Sequence, residues 1–231
     1  MGAQWKAAGK QENSAKRGAI ISKLCKEIIV AVKHGDPDPA NNPRLRAVIE
    51  AAKKASVPKD NIERAIKKGA GLLEPVNYEL ITFEGFTPHK VPCIVECLTE
   101  NRNRTSADIR GLFKKGALGA QGSVGFLFNH VGIIEATHVN KAVDVEEEAI
   151  EAGAQEVEKT EEGARFICEK TDLVTVTKNL NDRGWHIVAS EFGYIPKDPV
   201  TVSDEARKEI GEFLTEIDDN DDVHRIFTAL K

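Results

Sequence analysis

Eight lysines and arginines fall within the 28 residues from Asn42 to Gly69, NPRLRAVIEAAKKASVPKDNIERAIKKG. Side chains of this kind, repeated at helical spacing, can hold phosphate groups. Asn42 is a suitable cap and Pro43 suits a first helical turn. Leu45, Val48, Ile49 and Ala52 then share one side, and at about 100° per residue Arg46, Lys53 and Lys54 fall away from them. Pro58 restarts a helix after Ser56-Val57, and Gly69 is placed to end it. Ile62, Ala65 and Ile66 form its apolar stripe, with Arg64 and Lys68 opposite. Both helices thus have an apolar back and a basic front. On a single helix such a front is usually just solvated; agreement in sign along the N-terminal region favours a polyanionic ligand. Because Arg46, Lys53, Arg64 and Lys68 lie off the stripes, reversing them is expected to leave the helices folded.

Other chemistry is missing. There is no Gly-x-Ser-x-Gly elbow, His-Glu-x-x-His pair, Walker motif or dinucleotide fingerprint. The six histidines are scattered, and none of the four cysteines (Cys25, Cys93, Cys97, Cys168) forms a Cys-x-x-Cys pair. Cys93 and Cys97 sit in an apolar, strand-like run and read as buried free thiols, in keeping with a reducing compartment. The loop KKGALGAQGSVGFLF is glycine-rich, but it lacks a Gly-Lys-Ser/Thr end and leads into a predicted strand, Ser123–Phe128. It reads as a surface loop rather than a P-loop. Four aspartates in the five residues Asp218–Asp222 lack the glycine and distal glutamate of an EF-hand and read as a solvated acidic loop. The expectation is a non-enzymatic protein with no cofactor and no metal site.

With 231 residues, 41% hydrophobic and 30% charged, the chain suits two or three small globular domains. No apolar run approaches the roughly 18 residues of a membrane span, and the polar opening MGAQWKAAGKQENSAKRG lacks the apolar core of a secretory signal. A cytoplasmic protein is expected, with the mitochondrial matrix as the alternative for a trimmed organelle chain. The net charge of −5 hides an asymmetry: residues 1–75 carry 15 Lys and Arg against 8 Asp and Glu, the remainder 17 against 29. A basic first third on an acidic body suggests that the first third meets the polyanion.

The elements that must position this surface follow from the hydrophobic period. A helix from Ser14 to His34 carries Ile21, Leu24, Cys25, Ile28 and Val32 on one stripe and Lys23, Lys26 and Lys33 elsewhere. Gly35–Pro39 breaks it, and the two helices described above complete a three-helix bundle, the latter pair forming a helix-turn-helix. After a linker at 70–77 the period changes to that of strands. Tyr78–Phe86 and Val91–Thr99 form a hairpin, Asn101 introduces a helix bearing Ile109, Leu112 and Phe113, and Val223–Leu230 completes that sheet from the C-terminal end. Between them, strands at Gly132–Thr137, Gln155–Lys159, Ala164–Glu169 and Trp185–Tyr194 alternate with helices at Val143–Gly153 and Asp172–Gly184, the ferredoxin-like βαββαβ order. A last helix covers Asp204–Ile217. The predicted class is α+β. Residues 1–75 form a basic helical domain, 76–130 plus 200–231 a discontinuous α/β domain, and 131–199 the ferredoxin-like domain inserted into it. Trp185 is expected in the core rather than as a base-stacking platform.

Several separated motifs resemble the YebC family, which includes the mitochondrial translational activator of cytochrome c oxidase. They are AKRG (Ala15–Gly18), DPDPANNPRLRAVIEAAKKASVPKDNIERAIKKG (Asp36–Gly69), FEGF (Phe83–Phe86), NRNRTSADIR (Asn101–Arg110), GSVGFLF (Gly122–Phe128) and DDVHRIF (Asp221–Phe227), in order over nearly the whole chain. The resemblance implies the same architecture: a helical domain and two α/β domains, one interrupted by the other. Carried over position by position, it implies nucleic-acid contacts at Lys16, Arg17, Arg44, Arg46, Lys59, Arg64, Lys67 and Lys68, with Arg102 and Arg104 added from the NRNRT motif. Lys53 joins them from the helix face read above. The chain departs from the family pattern at its start, where a Gly-His-Ser-Lys-Trp segment and a His-Arg-Lys run are usual. Trp5 and Lys6 remain but most of the basic run is absent, which implies weaker or redirected binding by that segment.

The family's members are described both as ribosome-associated translation factors and as DNA-binding transcriptional regulators. The expected function is a ribosome-associated translation factor whose helical domain binds ribosomal RNA. The alternative is a transcriptional regulator with the Lys59–Lys68 helix in the major groove of double-stranded DNA. Lysine and arginine position a protein on phosphates more than they read base edges, which is why RNA leads.

Overall fold

The computed structural model describes residues 14–74, 76–140, 142–161 and 163–231, with the side chains of 14–17 and of Pro43 left aside. The opening segment with Trp5 and Lys6 lies outside the described residues. Two compact units are present, Met1–Asn129 with Ile195–Lys231, and His130–Tyr194.

The first unit begins with three helices, α1 (Ser14–Lys33), α2 (Pro43–Lys54) and α3 (Lys59–Gly69). Both α2 and α3 pack on α1, so α1 is the common support of the expected helix-turn-helix pair. Ile28, Ile29, Val32, Leu45, Ala52 and Ile62 fill the core between them. The α1–α3 crossing is close: a Cβ on Gly69 would stand 2.7 Å from both the Ile29 carbonyl oxygen and the Val32 Cβ. Glycine in the last turn of α3 therefore lets the two helices approach, while the helix ends beyond it, with Ala70 as C-cap and Gly71 in the left-handed region at φ +73°.

Beyond the linker a four-stranded antiparallel sheet forms from β1 (Glu79–Phe86), β2 (Pro92–Thr99), a two-residue β3 (Ala117–Leu118) and the C-terminal β8 (Val223–Thr228), in the order β3-β1-β2-β8. The hairpin and its completion by the C-terminal strand agree with expectation. Every residue of β2 is buried, so its side chains are covered on both faces, as its nearly continuous apolar sequence requires. Helices α4 (Arg102–Leu112) and α7 (Asp204–Asp218) belong to this part, and Phe113, just after α4, meets Phe213 of α7 edge to face at 5.4 Å. The expected strand at Ser123–Phe128 is a tight helical turn at Gly125–Leu127, with β4 (Phe128–His138) beginning where that prediction ended.

The second unit holds most of β4, then α5 (Val145–Ala152), β5 (Glu156–Lys159), β6 (Ala164–Glu169), α6 (Leu173–Asp182) and most of β7 (Trp185–Pro196). The sheet order β5-β6-β4-β7 is that of the ferredoxin-like split βαβ arrangement. Trp185 is in the core, edge to face on Phe166 at 4.9 Å, and its indole N–H donates to Glu148 at 3.3 Å.

The aspartate-rich segment is not a solvated loop throughout. Asp222 is 4% exposed. Its carboxylate accepts from Lys26 Nζ at 2.6 Å, Thr105 Oγ1 at 2.7 Å and Arg104 Nη2 at 2.8 Å. Lys26 also donates to the Asp221 carbonyl at 2.9 Å, and Lys23 pairs with Asp218 at 3.0 Å. Beside them the buried His224 ring contacts Glu27 at 3.2 Å. Burial first, then the charges of Arg225, Arg44 and Lys23, push the His224 pKa down to about 3, so the ring beside Glu27 is neutral. Side chains from α1 are thus tied to both ends of the α7–β8 connection and, through Asp222, share a partner with the start of α4. Burial alone would raise the Asp222 pKa; the Lys26, Arg104 and Thr105 bonds more than offset it and hold it at about 2.

A carboxyl whose pKa is lower folded than unfolded stabilises above the unfolded value, and that contribution is lost as pH falls through the folded one. From 3.8 to about 2, this is about 2 kcal/mol. Asp222→Asn is expected to cost about 2 kcal/mol at neutral pH in urea denaturation, and the gap to the natural protein should close between roughly pH 4 and pH 2. His224 titrates in both proteins and cancels in the difference; a gap that persists in acid would show that Asp222 contributes through shape rather than charge.

Candidate nucleic-acid interface

The base of the interface is set by Asn42. It is buried, and its side chain accepts from Leu45 N at 3.0 Å while donating to the carbonyls of Ala31 at 3.0 Å and Asp36 at 2.9 Å. One amide thus caps α2, closes the 34–41 loop and fixes α2 to the end of α1. The four residues Ala55–Pro58 then turn the chain into α3, with Val57 buried and Ser56 in the left-handed region at φ +56°.

On this scaffold Arg44, Lys53, Arg64 and Lys67 are exposed and, among the described residues, carry no ion pair. Lys59 is exposed and 3.5 Å from Glu63 on the next turn, a solvent-screened contact of small energetic weight. Lys54 adds a further exposed cation at the end of α2. Lys68 is half-buried rather than opposite the core. Arg46 is exposed but engaged: its guanidinium donates to the carbonyls of Pro39 at 3.1 Å and Ala40 at 2.8 Å, so it holds the loop before α2. The front of α3 also bears Asp60, Asn61 and Glu63, which makes it mixed rather than purely basic.

The remaining candidates are elsewhere. Lys16 and Arg17 lie on the first turn of α1, and their side chains are outside the described ones. Arg102 is exposed at the start of α4. Two residues on, Arg104 is bound to buried Asp222, which raises its own pKa and commits it to the fold. The structure therefore leaves Lys53, Lys59, Arg64 and Lys67 exposed on α2 and α3, sets Arg44 on the opposite flank of α2 from Lys53 where its charge reaches His224, and leaves Arg102 and Arg104 on α4. Sequence reasoning did not foresee that Lys23 and Lys26 are spent internally, which lowers the free positive charge of the helical region.

The glycine-rich loop proves to be an anion site that the chain fills itself. Glu84 in β1 is buried, and its carboxylate accepts from the backbone N–H of Gly122 at 2.7 Å, Val124 at 2.8 Å and Gly125 at 2.7 Å. Burial opposes its ionisation, but these three donors hold its pKa below the usual carboxylate range. The FEGF and GSVGFLF motifs are thus two halves of one arrangement, a relation that spacing along the chain does not reveal.

No group of histidine, cysteine and acidic side chains among the described residues is arranged to hold a metal ion, and no helix among them is long and apolar enough to cross a membrane. All four cysteines are free.

Residues 2–72 match the TACO1/YebC protein N-terminal domain, and residues 78–230 match the TACO1/YebC second and third domain. The chain belongs to the TACO1/YebC family. It is 52% identical to a probable transcriptional regulatory protein of Pseudomonas fluorescens (strain Pf0-1), over all of this chain and 99% of the relative. A protein of the same description from Bdellovibrio bacteriovorus is 48% identical over the whole of both chains. Among solved structures, a conserved hypothetical protein from Aquifex aeolicus is 40% identical, covers 99% of this chain and 96% of its own, and superposes with a TM-score of 0.79. The relatives carry a regulatory description, which places the TACO1/YebC family among regulatory proteins rather than known enzymes.

Two outcomes follow. Reversing Lys53, Arg64 and Lys67 to Glu should leave the helical circular dichroism and the melting temperature within a few degrees of the parent, whereas Arg46→Glu should cost about 1 kcal/mol through loss of two hydrogen bonds. Glu84→Ala should leave three backbone donors without their acceptor, for a loss of about 2–3 kcal/mol and faster amide hydrogen exchange confined to 119–125; unchanged exchange there would mean the loop holds its shape without Glu84.

Proposed function

We propose that this TACO1/YebC family member regulates gene expression by binding nucleic acid through the outward surface of α2 and α3. One observation carries the reading. Arg44, Lys53, Arg64 and Lys67 are exposed and unpaired among the described residues on two helices that share a single support, while other cations of the N-terminal region are consumed in ion pairs. A protein of net charge −5 that leaves these cations exposed on two helices packed against a common third has the electrostatic footprint of a phosphate-binding surface.

Two ligands suit it. The description of the relatives as probable transcriptional regulatory proteins supports double-stranded DNA, with α3 as the helix nearest the groove and Asn61 as its polar reader. The dominance of lysine and arginine supports contact with a phosphate backbone, which folded ribosomal RNA offers equally, and it is the observation that keeps a ribosome-associated translation factor as the second reading. Domain architecture fits either role: residues 1–75 act as the binding domain and the two α/β regions as its carrier. No catalytic step enters this function.

The test compares a short random-sequence DNA duplex with purified ribosomes at rising salt, for the natural protein and for a Lys53, Lys59, Arg64, Lys67 charge-reversed variant. Affinity for the true ligand should fall linearly on a log–log salt plot. In the variant the slope should be shallower by up to about 3–4, one unit or slightly less for each phosphate contact removed. Tighter, salt-sensitive binding to duplex assigns the transcriptional role, and the same behaviour on ribosomes assigns the translational one. Binding to both that the variant leaves unchanged would remove the α2–α3 surface from the mechanism.

A further inference from the structure

The turn between β1 and β2 is built in an unfavourable way. His89 and Lys90 both occupy the left-handed region, at φ +62° and +60°, although both carry a Cβ. Side chains there clash with the backbone, and glycine would take the same path without strain. The turn is held by the buried Thr87, whose N–H donates to the Val91 carbonyl at 2.9 Å, whose hydroxyl donates to the Pro88 carbonyl at 2.8 Å, and whose carbonyl accepts from Lys90 N at 3.1 Å. Strain of this kind persists where surrounding structure imposes it, and it concentrates at binding sites.

The same two residues line a surface groove of about 390 Å³ together with Phe86, Pro88, Lys115 and Ala117. Its far wall is made possible by Gly116, where a Cβ would meet the Phe86 carbonyl oxygen at 2.3 Å and the Phe213 ring at 3.1 Å. The groove thus joins an apolar floor to three basic side chains. Two of these are lightly tethered to α7: His89 Nε2 lies 2.8 Å from Glu209, and Lys115 pairs with Glu216. All four partners are well exposed, so these pairs are cheap to exchange. Lys90 is exposed and, among the described residues, has no ion pair.

We propose that this groove is a second ligand site, distinct from the α2–α3 surface, that takes a nucleotide with its phosphate on Lys90, Lys115 and His89 and its base against Phe86 and Pro88. The terminal phosphate of a mononucleotide carries more charge than a carboxylate and has three acceptor oxygens, and an internal phosphodiester still offers two, so either can accept from the two lysine ammonium groups and an imidazole N–H where Glu209 and Glu216 each hold one side chain. A base offers a π-face to an aromatic and apolar floor. The volume is in the range of small-molecule pockets. The shared chemistry is a nucleotide phosphate, from either a free mononucleotide or a nucleotide unit of a single strand.

The experiment is isothermal titration of the full chain with AMP, with inorganic phosphate and with a short single-stranded oligonucleotide. It is run on the natural protein, Lys90→Gly, Lys115→Gln and the α2–α3 charge-reversed variant. Lys90→Gly removes a cation and relieves backbone strain together, so its melting temperature should equal or exceed that of the parent, and lost binding cannot be lost folding. The natural protein should bind AMP or the oligonucleotide saturably and more tightly than phosphate alone. Lys90→Gly and Lys115→Gln should each weaken that binding by about tenfold or more, and the α2–α3 variant should keep AMP binding intact. Preference for AMP identifies a free nucleotide, and binding of the oligonucleotide alone identifies a strand. Absence of saturable binding to either, or equal affinity in the natural protein and both groove variants, overturns the proposal without touching the α2–α3 reading.

Discussion

A buried carboxylate must be satisfied or it cannot remain ionised, and Asp222 makes that requirement the organising constraint of the first unit. Its partners come from three separate stretches: Lys26 from α1, Arg104 and Thr105 from α4, with Thr99 of β2 at 3.4 Å. Displacing Lys26 or Arg104 would take one of the two cations that balance the buried carboxylate, and displacing Thr105 would take a neutral donor from it. The helical bundle is therefore attached to the sheet by specific polar bonds, with Lys23–Asp218 and His224–Glu27 alongside. Directional contacts of this kind fix an orientation more sharply than apolar burial does, because a shift of about an ångström breaks a hydrogen bond but only slides a methyl group.

That attachment also decides which charges remain for a ligand. The charge asymmetry along the sequence is real, but Lys23, Lys26 and Arg104 are internal ties and Arg46 is a loop anchor. What is left on α2 and α3 is a smaller group of exposed cations on helices whose backs are locked by Asn42 and Gly69. Rigidity suits the role assigned to them, because phosphates are held by cations whose spacing does not have to be found at the moment of binding. The Glu84 arrangement is the counterpart: backbone donors that suit a phosphate are given a carboxylate from within the chain, which converts a ligand-binding shape into a structural one.

The class, the element order and the family were legible in the residues themselves. Stripes such as Leu45, Val48, Ile49 and Ala52 lie on one helical face whatever surrounds them, and the βαββαβ succession follows from changes of period along the chain. The Ser123–Phe128 strand was misread because glycine, serine and valine in alternation imitate a strand, whereas Glu84, about forty residues earlier, gathers that backbone into a turn. The solvated reading of Asp218–Asp222 failed for a similar reason: composition reports charge, but not whether a cation from another segment will arrive to meet it.

The sequence by itself determined what depends on neighbours within a few residues: helices and their caps, strands, the absence of familiar catalytic motifs and the kinship with the TACO1/YebC family. Only the tertiary structure decided which charges are spent and which are presented. It paired Lys26 with Asp222 across almost the whole chain, filled the glycine loop with Glu84, and set His89, Lys90 and Lys115 around one groove. Local periodicity fixes the face on which a side chain stands. The energy of a charge depends on what lies within a few ångströms of it, and that is settled only when distant segments are brought together.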